Sequence, residues 1–134
     1  MSTSAVEGVP RVLLRAEGAA LLAAAAILYA KTGAPWWLFA ILFLVPDLGF
    51  LGYLAGPRVG ATAYNAMHTT TAPLFLAAAG LLSRIDVLLP LALIWLAHIG
   101  FDRLLGYGLK YAAGFGFTHL GRLAGASKRG APGA

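Results

Sequence analysis

The sequence predicts an all-α fold: a four-span transmembrane helical bundle with short loops and a flexible basic C-terminal tail. Of its 134 residues, 60% are hydrophobic and 11% are charged, whereas about 25% of the residues in ordinary soluble domains are charged. A soluble globule of this size would leave much of that apolar surface in water. The apolar residues also fall into four stretches of about 20 residues, the length that crosses a bilayer. Composition and spacing together indicate a membrane protein.

The four stretches predict helices at about 12–30, 35–55, 59–82 and 87–109. The first ends at Lys31-Thr32-Gly33, and the pair Trp36-Trp37 is typical of the membrane interface at the start of the second. Gly56-Pro57-Arg58 predicts a tight turn into the third. Because the third stretch is polar in its first half, residues 59–71 either cross fully or form a shorter re-entrant segment.

Outside the four stretches most residues are small or polar. We predict a flexible N-terminus at 1–11, a transmembrane domain at 12–110 and a basic, Gly/Ala-rich tail at 111–134. Leu28 and Tyr29 interrupt the small-residue pattern of a signal-peptide cleavage site, so we expect the first stretch to be retained. The chain has no cysteine, which excludes disulfides and thiolate zinc sites.

The basic residues predict the orientation of the bundle. Four crossings place both termini on one side of the membrane, and only Lys31 and Arg84 lie on the other side. The terminal side carries seven: Arg11, Arg15, Arg58, Lys110, Arg122, Lys128 and Arg129. The positive-inside rule therefore predicts cytoplasmic termini. No recognition motif or interleaved aromatic residue accompanies the basic tail, so we expect the bilayer as partner and no nucleic acid.

Several ionisable residues lie within the predicted spans, where hydrocarbon makes them costly. At 1.5 Å of rise per residue, they lie about 8–16 Å from the cytoplasmic boundary. Helices that run in opposite directions therefore bring their polar groups to one layer. These residues are Glu17, Asp47, His68, His98, Asp102 and Arg103.

This layer predicts a metal site. His98 and Asp102 are four residues apart and share a helix face, and two imidazoles with two carboxylates suit zinc or another divalent ion. We predict as ligands Asp47, His68, His98 and Asp102. A metal-bound water would lose its proton to Glu17 or Asp102 as catalytic base. Tyr64, Asn65 and Arg103 are predicted as supporting polar groups, and the reaction would be hydrolysis of a lipid or lipid-linked ester or phosphate.

Three other interpretations stay open from the sequence. The acids could pair with arginines in a purely structural polar core. The small size and many glycines also suit an accessory subunit of a membrane complex, or a homo-oligomer. Finally, His68, His98 and Asp102 could relay protons or admit a small solute.

Several segments carry a family resemblance. They are Pro35-Trp36-Trp37, Val45-Pro46-Asp47-Leu48, Leu51 to Arg58, Tyr64 to Thr69, Ala97 to Tyr111, and Thr118 to Arg122. Over about residues 11–123 the chain resembles a family of small bacterial integral-membrane proteins that is catalogued as a domain of unknown function. The resemblance implies a membrane location and assigns no reaction. Together with the four predicted spans and their orientation, it predicts a multi-pass protein of the bacterial inner membrane.

A more distant resemblance concerns the candidate ligands. The order Pro46-Asp47, His68, and His98 with Asp102 is similar to the pattern of bacterial membrane-bound metal-dependent hydrolases. In those hydrolases the corresponding Asp and His positions are the inferred metal ligands. Their aspartate-rich run and His-Ser pair are missing here.

Overall fold

The computed structural model describes residues 6–107, together with the backbone of 117–118 and 121–122. The predicted all-α class is confirmed. The helices are α1 (Gly8–Thr32), α2 (Trp36–Leu42), a 3₁₀ helix (Val45–Ala55), α3 (Pro57–His68), α4 (Thr71–Leu82) and α5 (Leu88–Leu104). Two residue pairs, β1 (Phe117–Thr118) and β2 (Gly121–Arg122), form a short antiparallel ladder. The predicted end of the fourth span at 108–109, and most of the basic tail, lie outside the described residues.

Glycine and proline set the helix boundaries near the predicted turns. Gly33 ends α1 in the left-handed conformation, with φ 74°, as is usual for a residue just past a helix. Gly56 adopts φ 114° between the 3₁₀ helix and α3, and Pro57 opens α3, where its missing N–H costs nothing. The Tyr29 hydroxyl donates to the Pro35 carbonyl at 2.7 Å and so ties the end of α1 to the start of α2.

The third predicted span consists of two helices in the structure. α3 ends at His68, Thr69 is extended with ψ 144°, and α4 starts at Thr71. Pro73 accounts for the break, because its ring has no N–H and would clash with the carbonyl four residues earlier if the helix were continuous. The break leaves His68 at the tip of a 12-residue helix.

The second predicted span changes from α-helix to 3₁₀ helix after Leu42. A 3₁₀ helix has three residues per turn, so residues three apart share a face. Here Pro46, Gly49 and Gly52 form one face, while Leu48, Leu51 and Leu54 are exposed on another. A Cβ on Gly49 would lie 3.0 Å from the Ala63 carbonyl oxygen. The small-residue face therefore packs directly on the α3 backbone and turns Asp47 inward beside it.

α5 is the centre of the bundle, and most of its residues are buried. α1 crosses it at a pair of glycines: a Cβ on Gly100 would lie 2.7 Å from the Gly18 carbonyl oxygen, and one on Gly18 would lie 2.5 Å from Arg103 Cβ. α4 meets α5 at Gly80, where an added Cβ would lie 2.7 Å from Leu89 N. His98 and Asp102 are therefore carried by the best-packed element of the fold.

Within the described residues, two helical segments are long and apolar enough to cross a membrane, judged by length and composition. They are Gly8–Thr32, with 25 residues, and Trp36–Ala55, with 20. Only 17% and 11% of their apolar windows are buried within the chain. Their apolar surface thus faces outward.

Candidate metal centre

Four side chains from three elements meet beside α5. Asp47 comes from the first turn of the 3₁₀ helix, His68 from the end of α3, and His98 and Asp102 from adjacent turns of α5. One potential ligand atom from each lies within 4.8 Å of all the others. The convergence expected from the predicted depths of these four residues is therefore present in the structure.

The separations between these atoms are short and nearly equal. The two Nε2 atoms of His68 and His98 lie 3.1 Å apart. Asp102 Oδ2 lies 3.2 Å from each Nε2, and Asp47 Oδ1 lies 3.3 Å from His68 Nε2 and 3.2 Å from His98 Nε2. The atoms that carry lone pairs therefore point at one common centre.

The α3 backbone fixes the tautomer of His68. Its Nδ1 donates to the Tyr64 carbonyl at 2.8 Å, because a carbonyl can only accept. The neutral ring therefore turns a bare Nε2 lone pair toward the centre, as in metal-binding histidines whose other nitrogen is hydrogen-bonded. The Tyr64 ring stacks on the imidazole, with centroids 3.7 Å apart and planes inclined by 9°.

Two α5 side chains hold the C-terminal end of α3 in place. Carbonyls in the last turn of a helix have no partner within it. Trp95 Nε1 donates to the Met67 carbonyl at 2.5 Å, and Arg103 donates to the His68 carbonyl at 3.4 Å. Trp95 and Arg103 are therefore positioning residues for His68.

Aromatic rings enclose the other side of the centre. Phe43 packs edge-on against His98 with centroids 5.3 Å apart, and Phe50 stacks on Tyr64 at 4.9 Å. The Tyr64 hydroxyl donates to Asp102 Oδ2 at 3.5 Å. His98 Nδ1 is buried and approaches the Phe43 main chain without completing a well-formed hydrogen bond.

The centre is closed on the imidazole side and opens past Asp47. The His68 and His98 side chains are 4% and 2% exposed, and that of Asp102 is 14% exposed. The Asp47 side chain is 34% exposed. A small molecule would therefore reach the centre from the side on which the 3₁₀ helix lies.

The remaining predicted site residues lie apart from the four ligand atoms. Glu17 is exposed on α1 and lines a separate pocket with Thr70 and Arg103. Asn65 follows Tyr64 on α3 and is half-buried. Arg103 faces the α3 carbonyl instead of pairing with Asp102. Asp102 contacts the imidazoles, so the centre is built from His–Asp contacts and not from acid–arginine pairs.

Sequence reasoning missed the contributions of Trp95 and Phe43. Nothing in the linear pattern indicates the bond from Trp95 to the Met67 carbonyl. The 3₁₀ helix did have a signal in the sequence, because proline and glycines recur every third residue from Pro46 to Gly52. That period predicts three residues per turn.

Comparison with protein families shows which family the chain belongs to. A family described as a domain of unknown function (DUF4260) matches residues 11–123. The chain belongs to this family. The match includes all four residues that converge at the centre, and it confirms the predicted resemblance to a family of unknown function. No curated protein and no solved structure matches the chain.

Proposed function

We propose that this protein crosses the bacterial inner membrane four times, with both termini in the cytoplasm. The outward apolar surface supports this: Leu54, Phe75 and Leu82 are 88%, 74% and 90% exposed. α1 and Trp36–Ala55 supply two crossings, α3 with α4 a third, and α5 the fourth. The break between α3 and α4 is tolerable at membrane depth because protein side chains satisfy its carbonyls. Bilayer lipids, and another membrane protein or a second copy, are the proposed partners.

Single-cysteine labelling tests this topology directly, because the chain has no cysteine of its own. We expect Ser83→Cys, between α4 and α5, to react with a membrane-impermeant maleimide in intact cells. Ser4→Cys and Ser127→Cys should react only after lysis. Labelling of all three positions from the same side of the membrane would contradict the four-span arrangement.

The proposed activity is metal-dependent hydrolysis of a lipid or lipid-linked ester or phosphate. One observation carries it: five of the six separations between the converging atoms are 3.1–3.3 Å. A tetrahedral ion with bonds of about 2.0–2.1 Å has neighbouring ligand atoms about 3.3 Å apart. Asp47, His68, His98 and Asp102 are therefore spaced as ligands of one divalent first-row ion.

Hydrogen bonds among the four side chains satisfy their nitrogen and oxygen atoms poorly. Each Nε2 can carry one hydrogen, and two N–H groups facing each other at 3.1 Å would repel. If only one ring donates, the other ring directs its lone pair at two carboxylates. A divalent cation attracts all four atoms at once, and nitrogen with oxygen ligands suits zinc and its neighbours.

The chain's own groups would bind the ion and handle the proton. Four protein ligands fill a tetrahedral ion, so the reaction requires the coordination to expand to five or Asp47, the most exposed ligand, to leave the ion. The ion would then acidify a water in that position and polarise an ester or phosphate oxygen. Asp47 and Asp102 each use one oxygen toward the centre, which leaves a second oxygen able to accept the proton of that water. Tyr64 orients Asp102 through its hydroxyl. The opening beside the half-buried Asp47 is where the reacting group would enter.

A liposome assay tests the activity. Purified protein loaded with zinc or manganese is incubated with fluorescent phospholipids and lipid phosphates, and released product is measured. We expect hydrolysis that chelation stops and that Asp102→Asn slows by about 10²- to 10⁴-fold, the usual contribution of acid–base groups.

The matched control for this assay is Asp86→Asn, an exposed aspartate in the turn before α5, which should keep the full rate. Product release that survives chelation, or that is equal in Asp102→Asn, would contradict a metal-dependent reaction.

A proton relay is the second candidate, because the same 3.1–3.3 Å contacts form a continuous path between imidazoles and carboxylates. It predicts a proton flux into proteoliposomes that Asp102→Asn removes. An unchanged flux in this variant would eliminate the relay.

A further inference from the structure

An apolar cavity that is open on one side adjoins the metal centre. Its volume is about 270 Å³, and its walls include Pro46, Met67 and Ile94. Pro46 and Met67 are the residues directly before Asp47 and His68, and Ile94 lies one helical turn before His98. The cavity and the centre therefore share the same three elements and lie side by side.

The α5 wall of the cavity continues the stripe that carries the ligands. Leu91, Ile94 and Trp95 line the cavity, and they precede His98 by seven, four and three residues, which is one helix face. Along this face the cavity residues lie about 4–10 Å from His98 in the direction of the helix start. The stripe is apolar at one end and polar at the other.

Every side chain that lines the cavity is apolar or aromatic. The indole N–H of Trp95 is already used by the Met67 carbonyl, so the ring offers only its apolar surface. Water finds no hydrogen-bond partner on such walls, and a fully enclosed apolar cavity of about 150 Å³ stays dry and takes up benzene. Hydrocarbon regains the dispersion contacts that an empty cavity of this size would lose.

We propose that this cavity binds one hydrocarbon chain of an amphiphilic substrate, with the reacting head group at the metal centre. The inference rests on the proposed function and narrows its substrate to a lipid with at least one long chain. The placement of the cavity suits the proposed topology. Because α5 runs toward the cytoplasm, the cavity lies farther from the cytoplasm than the metal centre does. A lipid of the inner leaflet has its head on that side and its chain toward the bilayer centre.

Trp95 fluorescence can report occupancy of the cavity. In a Trp36→Phe/Trp37→Phe background Trp95 is the remaining tryptophan, since the chain has three. The probe is dodecyl phosphate brominated in the middle of its chain, with brominated butyl phosphate as the short-chain comparison. We expect the dodecyl probe to quench Trp95 with saturation and the butyl probe to have little effect.

Filling the cavity should remove the saturable quenching. Val45→Phe/Leu91→Phe adds two rings to the lining, and Leu81→Phe/Leu82→Phe is the matched control on the exposed face of α4. Saturable quenching should be lost in the first variant and retained in the second. If the filled variant fails to fold, the difference between dodecyl and butyl probes in the unfilled protein decides.

The outcomes separate this inference from the metal proposal. Zinc binding is measured on the same samples, and quenching is measured with and without zinc. Zinc binding with quenching that filling does not change would overturn the hydrocarbon site and leave the metal centre intact. Filling-sensitive quenching without any zinc binding would support the cavity and overturn the metal-dependent function.

Discussion

Replacing His68 or His98 with alanine is expected to abolish stoichiometric zinc binding. Each ring supplies one Nε2 to the four-atom centre, at 3.1–3.3 Å from its neighbours. Loss of even an outer-shell partner costs about 10–100-fold in metal affinity, so loss of a ligand should cost more than about 100-fold. Elemental analysis of protein purified in mild detergent, followed by zinc titration, measures the change.

The third histidine of the chain, His119, provides the control for this prediction. It falls in the predicted basic tail at 111–134, outside the described residues, and His119→Ala should leave zinc binding unchanged. Equal zinc content in His68→Ala, His98→Ala and His119→Ala would mean that the centre is not a metal site.

Replacing Gly18 with leucine is expected to lower the free energy of unfolding by about 3 kcal/mol, the upper part of the range for overpacked cores. A Cβ at this position would lie 2.7 Å from the Leu104 amide nitrogen and 2.8 Å from the Gly100 carbonyl oxygen. Backbone atoms cannot rotate away, so α1 must move off α5. Denaturant unfolding in detergent, followed by circular dichroism, measures the loss.

Ala23→Leu is the matched variant, because Ala23 is exposed on the same helix. It should unfold like the unsubstituted protein. Gly100 also lies between His98 and Asp102, so Gly18→Leu should weaken zinc binding as a secondary effect. If Gly18→Leu and Ala23→Leu were equally stable, the close crossing of α1 and α5 would be wrong.

The convergence at the centre was predictable because α-helices rise by a nearly constant 1.5 Å per residue, and the larger rise of the 3₁₀ helix changes the counted depth of Asp47 by only about 4 Å. Once the span ends were estimated, Asp47, His68, His98 and Asp102 had similar depths from simple counting. Depth, however, gives only the position of a residue across the membrane and not its position around the bundle. Glu17 had a similar depth, yet α1 packs on the Gly100 side of α5, about 200° around the helix from His98. Counting along the chain does not indicate which side of α5 another helix occupies.

The break between α3 and α4 and the 3₁₀ helix depend on local chemistry that a hydropathy window averages away. Pro73 was visible, but a window of about 20 residues still gives one span across it. The bonds from Trp95 and Arg103 to the end of α3 join residues that are 28 and 35 positions apart. Contacts of this kind follow from tertiary packing, and no local pattern indicates them.

The 3₁₀ helix restricts the insertions and deletions that its segment can accept. Each added or removed residue turns everything beyond it by about 120°. One insertion after Pro46 would therefore bring Leu48 and Leu51 to the α3 backbone, move the glycines to the face of Phe50 and Tyr53, and turn Asp47 to the exposed face. An insertion of three residues would restore the original faces and lengthen the helix by about 6 Å. Changes in this segment are therefore tolerable only in triplets, a constraint that the neighbouring α-helices, with 3.6 residues per turn, do not share.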